Sequence, residues 1–232
     1  MAEVPFSDEL TARLVQYLNE LPEDGRLPSE RDLADALRVS RTALRDRLMR
    51  LDAIGVLERR PGSGTHLVGL SSKRVSDALA IGMVFGDLEP SSLIPVRVGL
   101  EREAARRAAQ RTDHINLAKM MIAIDQMSGD SDEKTFREAD RQFHTALLNA
   151  SGLPGLIFFS EIMRDLLWVT IHEVPLETRL PKLQELHLDI YEAVRTREPD
   201  AAMAAVNAHF DWLEDMLALG KIERQPAPQS GE

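Results

Sequence analysis

The chain has 232 residues, 44% hydrophobic and 28% charged, with a formal net charge of −10. This length corresponds to one large domain or two modest ones of about 100–200 residues each. The absence of cysteine excludes disulfides, thiolate metal sites, iron–sulfur clusters and cysteine nucleophiles, and it is typical of a cytoplasmic protein. No run approaches the ~20 apolar residues of a membrane span and the first twenty residues lack a signal-peptide layout, so no membrane association is expected.

Three helix start signals open the chain. Ser7 precedes an apolar periodicity of about two turns, which predicts a first helix. Ser29, with Asp32 three residues on, approximates a capping box and predicts a second helix. Ser40 is the predicted cap of a third helix, which runs to about Ala53.

A small β-ribbon is predicted after the third helix. Gly55 is placed to end that helix, and residues 56–60, 61–64 and 65–68 have the composition of a strand, a glycine-rich turn and a second strand. Three helices followed by such a ribbon make a winged helix-turn-helix, whose third helix enters the major groove of DNA while the ribbon tip lies along an adjacent groove or phosphate run.

The acidic average of the chain conceals a basic segment. Residues 37–60 hold seven arginines and no lysine against Asp46, Asp52 and Glu58, a local charge of +4. The planar guanidinium fork suits phosphates and guanine edges, so this segment predicts a DNA-reading surface. The alternative is a solvated helix face held by salt bridges.

Four ordered motifs mark this region: Leu27-Pro28-Ser29-Glu30-Arg31, Val39-Ser40-Arg41-Thr42 with Arg45, Leu51-x-x-x-Gly55-Val56-Leu57, and Gly62-x-Gly64-Thr65. Over roughly residues 7–69 they resemble the DNA-binding domain of the GntR family of bacterial transcription regulators. The resemblance implies DNA contacts at Arg31, Ser40, Arg41, Thr42, Arg45 and Gly62. Physical reasoning agrees, because the N-terminal end of a recognition helix lies closest to base edges and glycine lets the wing backbone approach the duplex. Ala43 and Asp46 depart from the common pattern, which bears on operator preference.

The rest of the chain is predicted to be helical throughout. After a DNA-binding domain at 1–69 and a polar linker at 70–75, an all-helical domain is expected at 76–222 and a disordered tail at 223–232. Its predicted helices run at roughly 76–85, 91–110, 113–127, 133–150, 155–173, 181–196 and 199–219. The fold class is therefore mainly α, with an N-terminal winged helix-turn-helix and a C-terminal helical bundle.

Four residues of this second domain flank apolar stripes and are expected to point inward: Asp140 and His144, one helical turn apart, His187, and His209. A buried carboxylate or imidazole needs a partner, and one shared divalent ion would satisfy all four. Three imidazoles and a carboxylate suit Zn²⁺, Ni²⁺, Mn²⁺ or Fe²⁺ and leave coordination positions open. The alternative is a set of separate hydrogen-bonded core residues.

Four further motifs span about residues 90–217: Arg97-x-x-x-Glu101 with Ala104-Ala105, Asp140-x-x-Phe143-His144, Glu185-x-His187-x-x-Ile190, and Ala205-x-x-x-His209. They resemble the effector-binding FCD domain of the FadR subfamily. In its metal-containing members the four ligands correspond to Asp140, His144, His187 and His209. The resemblance also implies a small carboxylic acid as effector, with Arg97 as the cation that holds it.

Arg97 has an alternative interpretation, an ordinary surface ion pair with Glu101 one turn away. Arg164 and His172 are weaker candidates for holding an anion. His66 and His114 are expected on the surface and have no predicted role.

These patterns predict a ligand-responsive bacterial transcription regulator, with repression as the commoner mode in this family. A homodimer is expected to bind a pseudo-palindromic double-stranded operator, because two-fold protein symmetry requires two-fold DNA symmetry. One alternative is a helical-bundle metalloenzyme fused to a DNA-binding module, although no acid–base carboxylate pair or nucleophile–base pair supports an enzyme. Another is a DNA-binding protein whose C-terminal domain only dimerises.

Overall fold

A computed structural model of the chain describes residues 8–22, 24–127, 132–172 and 180–224, and the side chains of these ranges except 168–172, 180 and 220–224. Over these ranges the elements in chain order are α1 (Glu9–Asn19), α2 (Glu30–Leu37), α3 (Arg41–Ala53), β1 (Leu57–Arg60), β2 (Gly64–Leu67), α4 (Ser72–Phe85), a 3₁₀ turn (Pro90–Leu93), α5 (Ile94–Gln110), α6 (His114–Gln126), α7 (Glu133–Ser151), α8 (Pro154–His172), α9 (Leu180–Arg195) and α10 (Pro199–Arg224). The predicted fold class is confirmed.

The chain divides into two compact units, Met1–Ala78 and Leu79–Glu232. Residues 225–232 of the predicted tail lie outside the described part of the chain. Within that part, no helix combines the length and the apolar composition that a membrane span requires.

Side-chain caps define the three helices of the first unit. The hydroxyls of Ser29 and Ser40 each accept a hydrogen bond from the backbone N–H three residues on, as the sequence predicted. Asp8 caps α1 in the same way, whereas the predicted cap Ser7 lies outside the described residues. Arg38 adopts a left-handed conformation with φ of 54°, which ends α2 and makes the short turn into α3. The helix-turn-helix is therefore formed by α2 and α3.

The wing is a two-stranded antiparallel ribbon paired to the segment before α2. Leu57 lies opposite Leu67 in the ribbon, and the Leu67 N–H also donates to the carbonyl of Gly25 at 2.7 Å. Gly25 has a φ of +62°, and a Cβ there would come within 2.7 Å of the Leu67 carbonyl oxygen, so this approach requires glycine. Beneath these elements lies a leucine-rich core of Leu14, Leu18, Leu27, Leu33, Ala34, Leu37, Leu44, Leu48 and Leu57.

Helix α4 begins at Ser72, four residues before its predicted start. The reason is a cap at Ser71, whose hydroxyl accepts from the backbone N–H of Arg74 at 3.3 Å. Residues 72–75 of the predicted linker are therefore helical.

The second unit is a helical bundle with α5 at its centre. Helix α5 packs against α7, α8, α9 and α10, while α6 packs against α7 and α9. Its core contains the fully buried side chains of Phe136, Phe143 and Phe210 together with Met120 and Leu147. Helices α5, α7, α9 and α10 all project side chains into this core, which is the arrangement that brings distant polar residues together.

Candidate functional site

The structure brings Asp140, His144, His187 and His209 together in the core of the bundle. One ligand atom from each residue lies within 4.8 Å of every other. The three histidines are almost wholly buried, whereas the Asp140 side chain keeps 27% of its surface exposed. Helix α7 supplies two of the residues because a spacing of four places them on one face, and α9 and α10 supply one each.

The donor set fits a single ion. His187 Nε2 lies 3.1 Å from Asp140 Oδ1 and 3.4 Å from His144 Nε2, and His144 Nε2 lies 3.7 Å from Asp140 Oδ1. Two atoms that each bind one ion at about 2.1 Å are about 3.0–3.4 Å apart at the bond angles of octahedral and tetrahedral sites. The spacing of these three atoms is therefore close to that of ligands sharing a cation.

The hydrogen bonds of the imidazoles leave ring nitrogens that face other polar atoms of the cluster. His187 Nδ1 donates to the carbonyl of Leu183 at 2.7 Å, which leaves Nε2 as the nitrogen available to a ligand. Nε2 faces an oxygen of Asp140 and Nε2 of His144. Electron-pair donors at this separation repel unless a proton or a metal ion lies between them. His209 Nδ1 is buried and has no hydrogen-bond partner, so this site also contains an unsatisfied nitrogen.

Glu101 and Arg97 extend the site from α5. His144 Nδ1 donates to Glu101 Oε2 at 2.5 Å, and Arg97 Nε donates to Glu101 Oε1 at 2.7 Å. The Arg97 guanidinium lies over the ring of Phe210, 5.1 Å from its centroid. Arg97 and Glu101 do form an ion pair, but the alternative interpretation of an ordinary surface pair does not hold, because both side chains are buried.

Electrostatics hold these groups in defined protonation states. Burial lowers the pKa of His144, but the charges of Glu101 and Asp140 outweigh burial and raise the pKa to about 9. Burial raises the pKa of Asp140, but His144 and His187 outweigh it and hold the pKa well below the ordinary value. Burial and the two neighbouring imidazoles lower the pKa of His209 well below its ordinary value, so this ring is neutral and available as a ligand.

Sequence reasoning missed the contact of Glu101 with His144. A signal was present, because Glu101 shares a helix face with the buried alanines Ala104, Ala105 and Ala108. The two remaining candidates lie elsewhere: Arg164 on α8 donates to Thr145 Oγ1 at 3.0 Å, and the side chain of His172 lies outside the described residues.

The predicted DNA contacts lie on the exposed surface of the first unit. All six predicted residues are exposed: Arg31, Ser40, Arg41, Thr42, Arg45 and Gly62. The helix N-terminal end that carries Ser40, Arg41 and Thr42 follows directly on the α2–α3 turn, and Gly62 occupies the wing turn with a φ of +72°. Within the described residues Arg41 has no ion pair, whereas Arg45 pairs with Glu30. Part of the basic segment is thus salt-bridged in the free protein.

His66 is buried, which corrects the prediction of a surface position. Only 6% of it is exposed. Its Nε2 is 2.9 Å from the hydroxyl of Ser63 in the wing turn, and its Nδ1 is 3.2 Å from the carbonyl oxygen of Asp24 before α2. This imidazole therefore joins the wing turn to the body of the helix-turn-helix unit.

Comparison with known proteins identifies both units. Residues 6–67 match the family described as bacterial regulatory proteins, gntR family, and residues 92–211 match the FCD domain. The HTH-type transcriptional regulator LutR of Bacillus subtilis is 31% identical over 206 residues, covering 86% of this chain and 94% of that protein. The chain therefore belongs to the GntR family of bacterial transcription regulators and carries an FCD domain, as the motifs predicted.

Other relatives agree with this assignment. The Exu regulon transcriptional regulator of Escherichia coli is 29% identical over 228 residues, covering 93% of this chain and 87% of that protein. The solved structure of a Streptococcus agalactiae GntR protein has the same fold, with a TM-score of 0.68 over 89% of this chain and 98% of that one, at 24% identity. LutR and the Exu regulator are transcription regulators and not enzymes, so the expectation that this chain is not an enzyme is confirmed.

Proposed function

We propose that this DNA-binding regulator is a metal-containing member of the FadR subfamily whose operator affinity responds to a small carboxylic acid. The observation that carries the proposal is the convergence of Asp140, His144, His187 and His209, whose facing oxygen and nitrogen atoms lie at distances suited to one ion. The FCD match and the unpartnered nitrogen of His209 support the same conclusion.

A divalent ion of octahedral preference held by these four residues would keep two coordination positions open, and these would accept a carboxylate oxygen. The chain itself contributes an anion-binding side chain: Arg97 is the candidate that holds a second charged group of the effector. Its Nε is engaged by Glu101, and the guanidinium has two further nitrogens that can donate to an anion.

The proposed regulator acts as a homodimer on a pseudo-palindromic operator. The exposed Arg41 and Arg45 forks read bases in each half-site, and the wing contacts the flanking phosphates. Effector binding in the FCD domain then changes operator affinity by about 5–150-fold, equivalent to a coupling of about 1–3 kcal/mol. We propose that the regulator represses transcription. Because one relative is named the Glc operon transcriptional activator, a reporter assay should establish whether this regulator represses or activates.

Metal content tests the first part of this proposal. The full-length protein is stripped with a chelator, reloaded with Zn²⁺ or Ni²⁺, desalted and analysed for bound metal. We expect one ion per chain in the wild type and in H114A, which alters an exposed histidine, and loss of the ion in H187A. A wild-type protein that retains no metal would show that the cluster is a polar core.

Operator binding tests the second part. An operator fragment is selected by the protein from random DNA. The affinity of the protein for this fragment is then measured in the presence of each of a panel of small mono- and dicarboxylates, with and without chelator. We expect at least one acid to change the affinity of the metal-loaded wild type and to have no effect on H187A. A response that is identical in H187A would favour a C-terminal domain that only dimerises.

A further inference from the structure

A buried chain of three side chains leads from Arg97 to the metal cluster. Arg97 donates to one oxygen of Glu101, and the other oxygen accepts from Nδ1–H of His144. The three side chains are 7%, 2% and 2% exposed, so water does not screen this arrangement. Glu101 is the shared member, with one oxygen on each neighbour.

His187 has a weaker hydrogen-bond acceptor at Nδ1, because it donates to a backbone carbonyl, that of Leu183. Within the described residues, His144 is the cluster histidine whose Nδ1–H meets a carboxylate. A carboxylate in this position fixes the ring orientation and the tautomer of a metal-binding imidazole and makes its other nitrogen a stronger ligand.

We propose that Glu101 is a positioning residue that holds His144 in its metal-binding orientation, and that Arg97 acts on the metal site through Glu101. This inference rests on the proposed function, because it requires that the cluster binds a metal. It adds a fifth residue to the four ligands and gives the buried Arg97–Glu101 ion pair of α5 a defined role in the site.

Arg97 couples anion binding to metal binding in this chain. An anion that binds the guanidinium withdraws part of its positive charge from Glu101, which then accepts more strongly from His144. A better-held His144 binds metal more tightly, so anion and metal favour each other, and the effect is reciprocal. Phe210 reinforces the link, because its ring lies beneath Arg97 and 5.0 Å from the ring of His209.

The experiment measures Zn²⁺ affinity of the full-length protein by competition with a chromophoric chelator. E101Q keeps the shape of the side chain and removes its charge; we expect the Zn²⁺ dissociation constant to rise by about 10–100-fold. The matched control is E103Q on the same helix, because Glu103 is partly exposed and pairs with Arg106 and Arg107. We expect E103Q to bind Zn²⁺ as the wild type does.

A proton NMR signature separates positioning from general damage. In the Zn²⁺-loaded wild type and in E103Q we expect a slowly exchanging downfield resonance from the His144 Nδ1–H, and we expect E101Q to lose it. If E101Q does not fold, E101D serves instead, since it retracts the carboxylate by about one methylene and weakens the same contact. Thermal unfolding of the metal-free variants establishes which of them fold.

A double-variant cycle tests the Arg97 step. We expect R97K to change Zn²⁺ affinity in the wild-type background and to have no effect when E101Q is also present. Equal effects of R97K in both backgrounds would overturn the route through Glu101. Zn²⁺ affinity of a folded E101Q or E101D within about twofold of the wild type would overturn the positioning role, whereas a wild type that binds no Zn²⁺ would overturn the proposed metal function itself.

Discussion

Arg45 of the recognition helix is ion-paired through Nε with Glu30, the first residue of the preceding helix α2. The pair joins the two helices of the helix-turn-helix at the surface that faces DNA in winged domains. The Arg45 side chain remains 59% exposed, so its terminal nitrogens are free to meet a base edge. Glu30 thereby restricts the orientation of the Arg45 guanidinium in the DNA-free protein.

Substitutions of Arg45 and of Glu30 are expected to change operator binding in different ways. We expect R45A to weaken specific operator binding by about 1–3 kcal/mol and to relax preference at one base position. We expect E30Q to reduce discrimination between operator and mutated operator while strengthening non-specific binding, because one negative charge leaves the DNA-facing surface. Affinities for the operator and its base-substituted variants at two salt concentrations measure both effects.

The matched control for this pair is E20Q, at the C-terminal end of α1, for which we expect the wild-type specificity ratio. R45A with an unchanged affinity and an unchanged base preference would contradict the assignment of Arg45 to base reading.

His66 provides a test of the wing. H66F keeps a buried ring but loses the bonds to Ser63 and to the Asp24 carbonyl, each typically worth about 0.5–1.5 kcal/mol. We expect weaker operator binding and loss of hydroxyl-radical protection where the wing contacts DNA, while protection by α3 persists. S63A should show a milder form of the same change, and H114F none. Full wing protection in H66F would show that the imidazole does not position the wing.

Local sequence signals were sufficient to predict most of the fold. The serine caps at Ser29 and Ser40 and the long 3.6-residue periodicities gave the helices, because capping and amphipathic packing depend on nearby residues. The start of α4 was predicted four residues too late, because the polar residues at 71–74 have the composition of a linker although Ser71 caps the helix.

The site was predictable where its residues share a helix face and unpredictable where they do not. Asp140 and His144 follow from their spacing, and inward-facing histidines on later helices made a shared site reasonable. The contact of Glu101 with His144 joins residues 43 positions apart, and the burial of His66 depends on a carbonyl 42 positions away. Such contacts are set by tertiary packing, which a single sequence does not specify.

Metal affinity should depend on pH through His144. Burial lowers the pKa of this imidazole, but the neighbouring carboxylates Glu101 and Asp140 outweigh burial and raise the pKa to about 9. In the metal-free protein at neutral pH the ring therefore carries a proton, which the metal must displace. We expect affinity for Zn²⁺ to rise by about tenfold per pH unit from pH 6 toward pH 9, with release of a proton. Titration calorimetry in buffers of different ionisation enthalpy measures that proton, and an affinity that is flat over this range would contradict the expectation.

Acid should weaken the contribution that the Glu103 ion pairs on α5 make to the free energy of unfolding. Hydrogen bonds from Arg106 and then Arg107 lower the pKa of Glu103 to about 2. Because the folded pKa lies below the unfolded value, the stabilisation is present above about pH 4.5 and is lost as the pH falls toward 2. We expect the difference in unfolding free energy between wild type and E103Q to be smaller at pH 3 than at pH 6. Denaturant titrations at both pH values check this, and a difference that grows at pH 3 would contradict it.

The most direct test of the metal-containing regulator is anomalous diffraction from crystals of the Zn²⁺-loaded full-length protein, recorded on both sides of the zinc edge. The proposed site predicts one anomalous peak per chain, within about 2.0–2.2 Å of an oxygen of Asp140 and of one nitrogen each of His144, His187 and His209. Crystals that show these four side chains around no peak, or zinc bound only elsewhere, would contradict it.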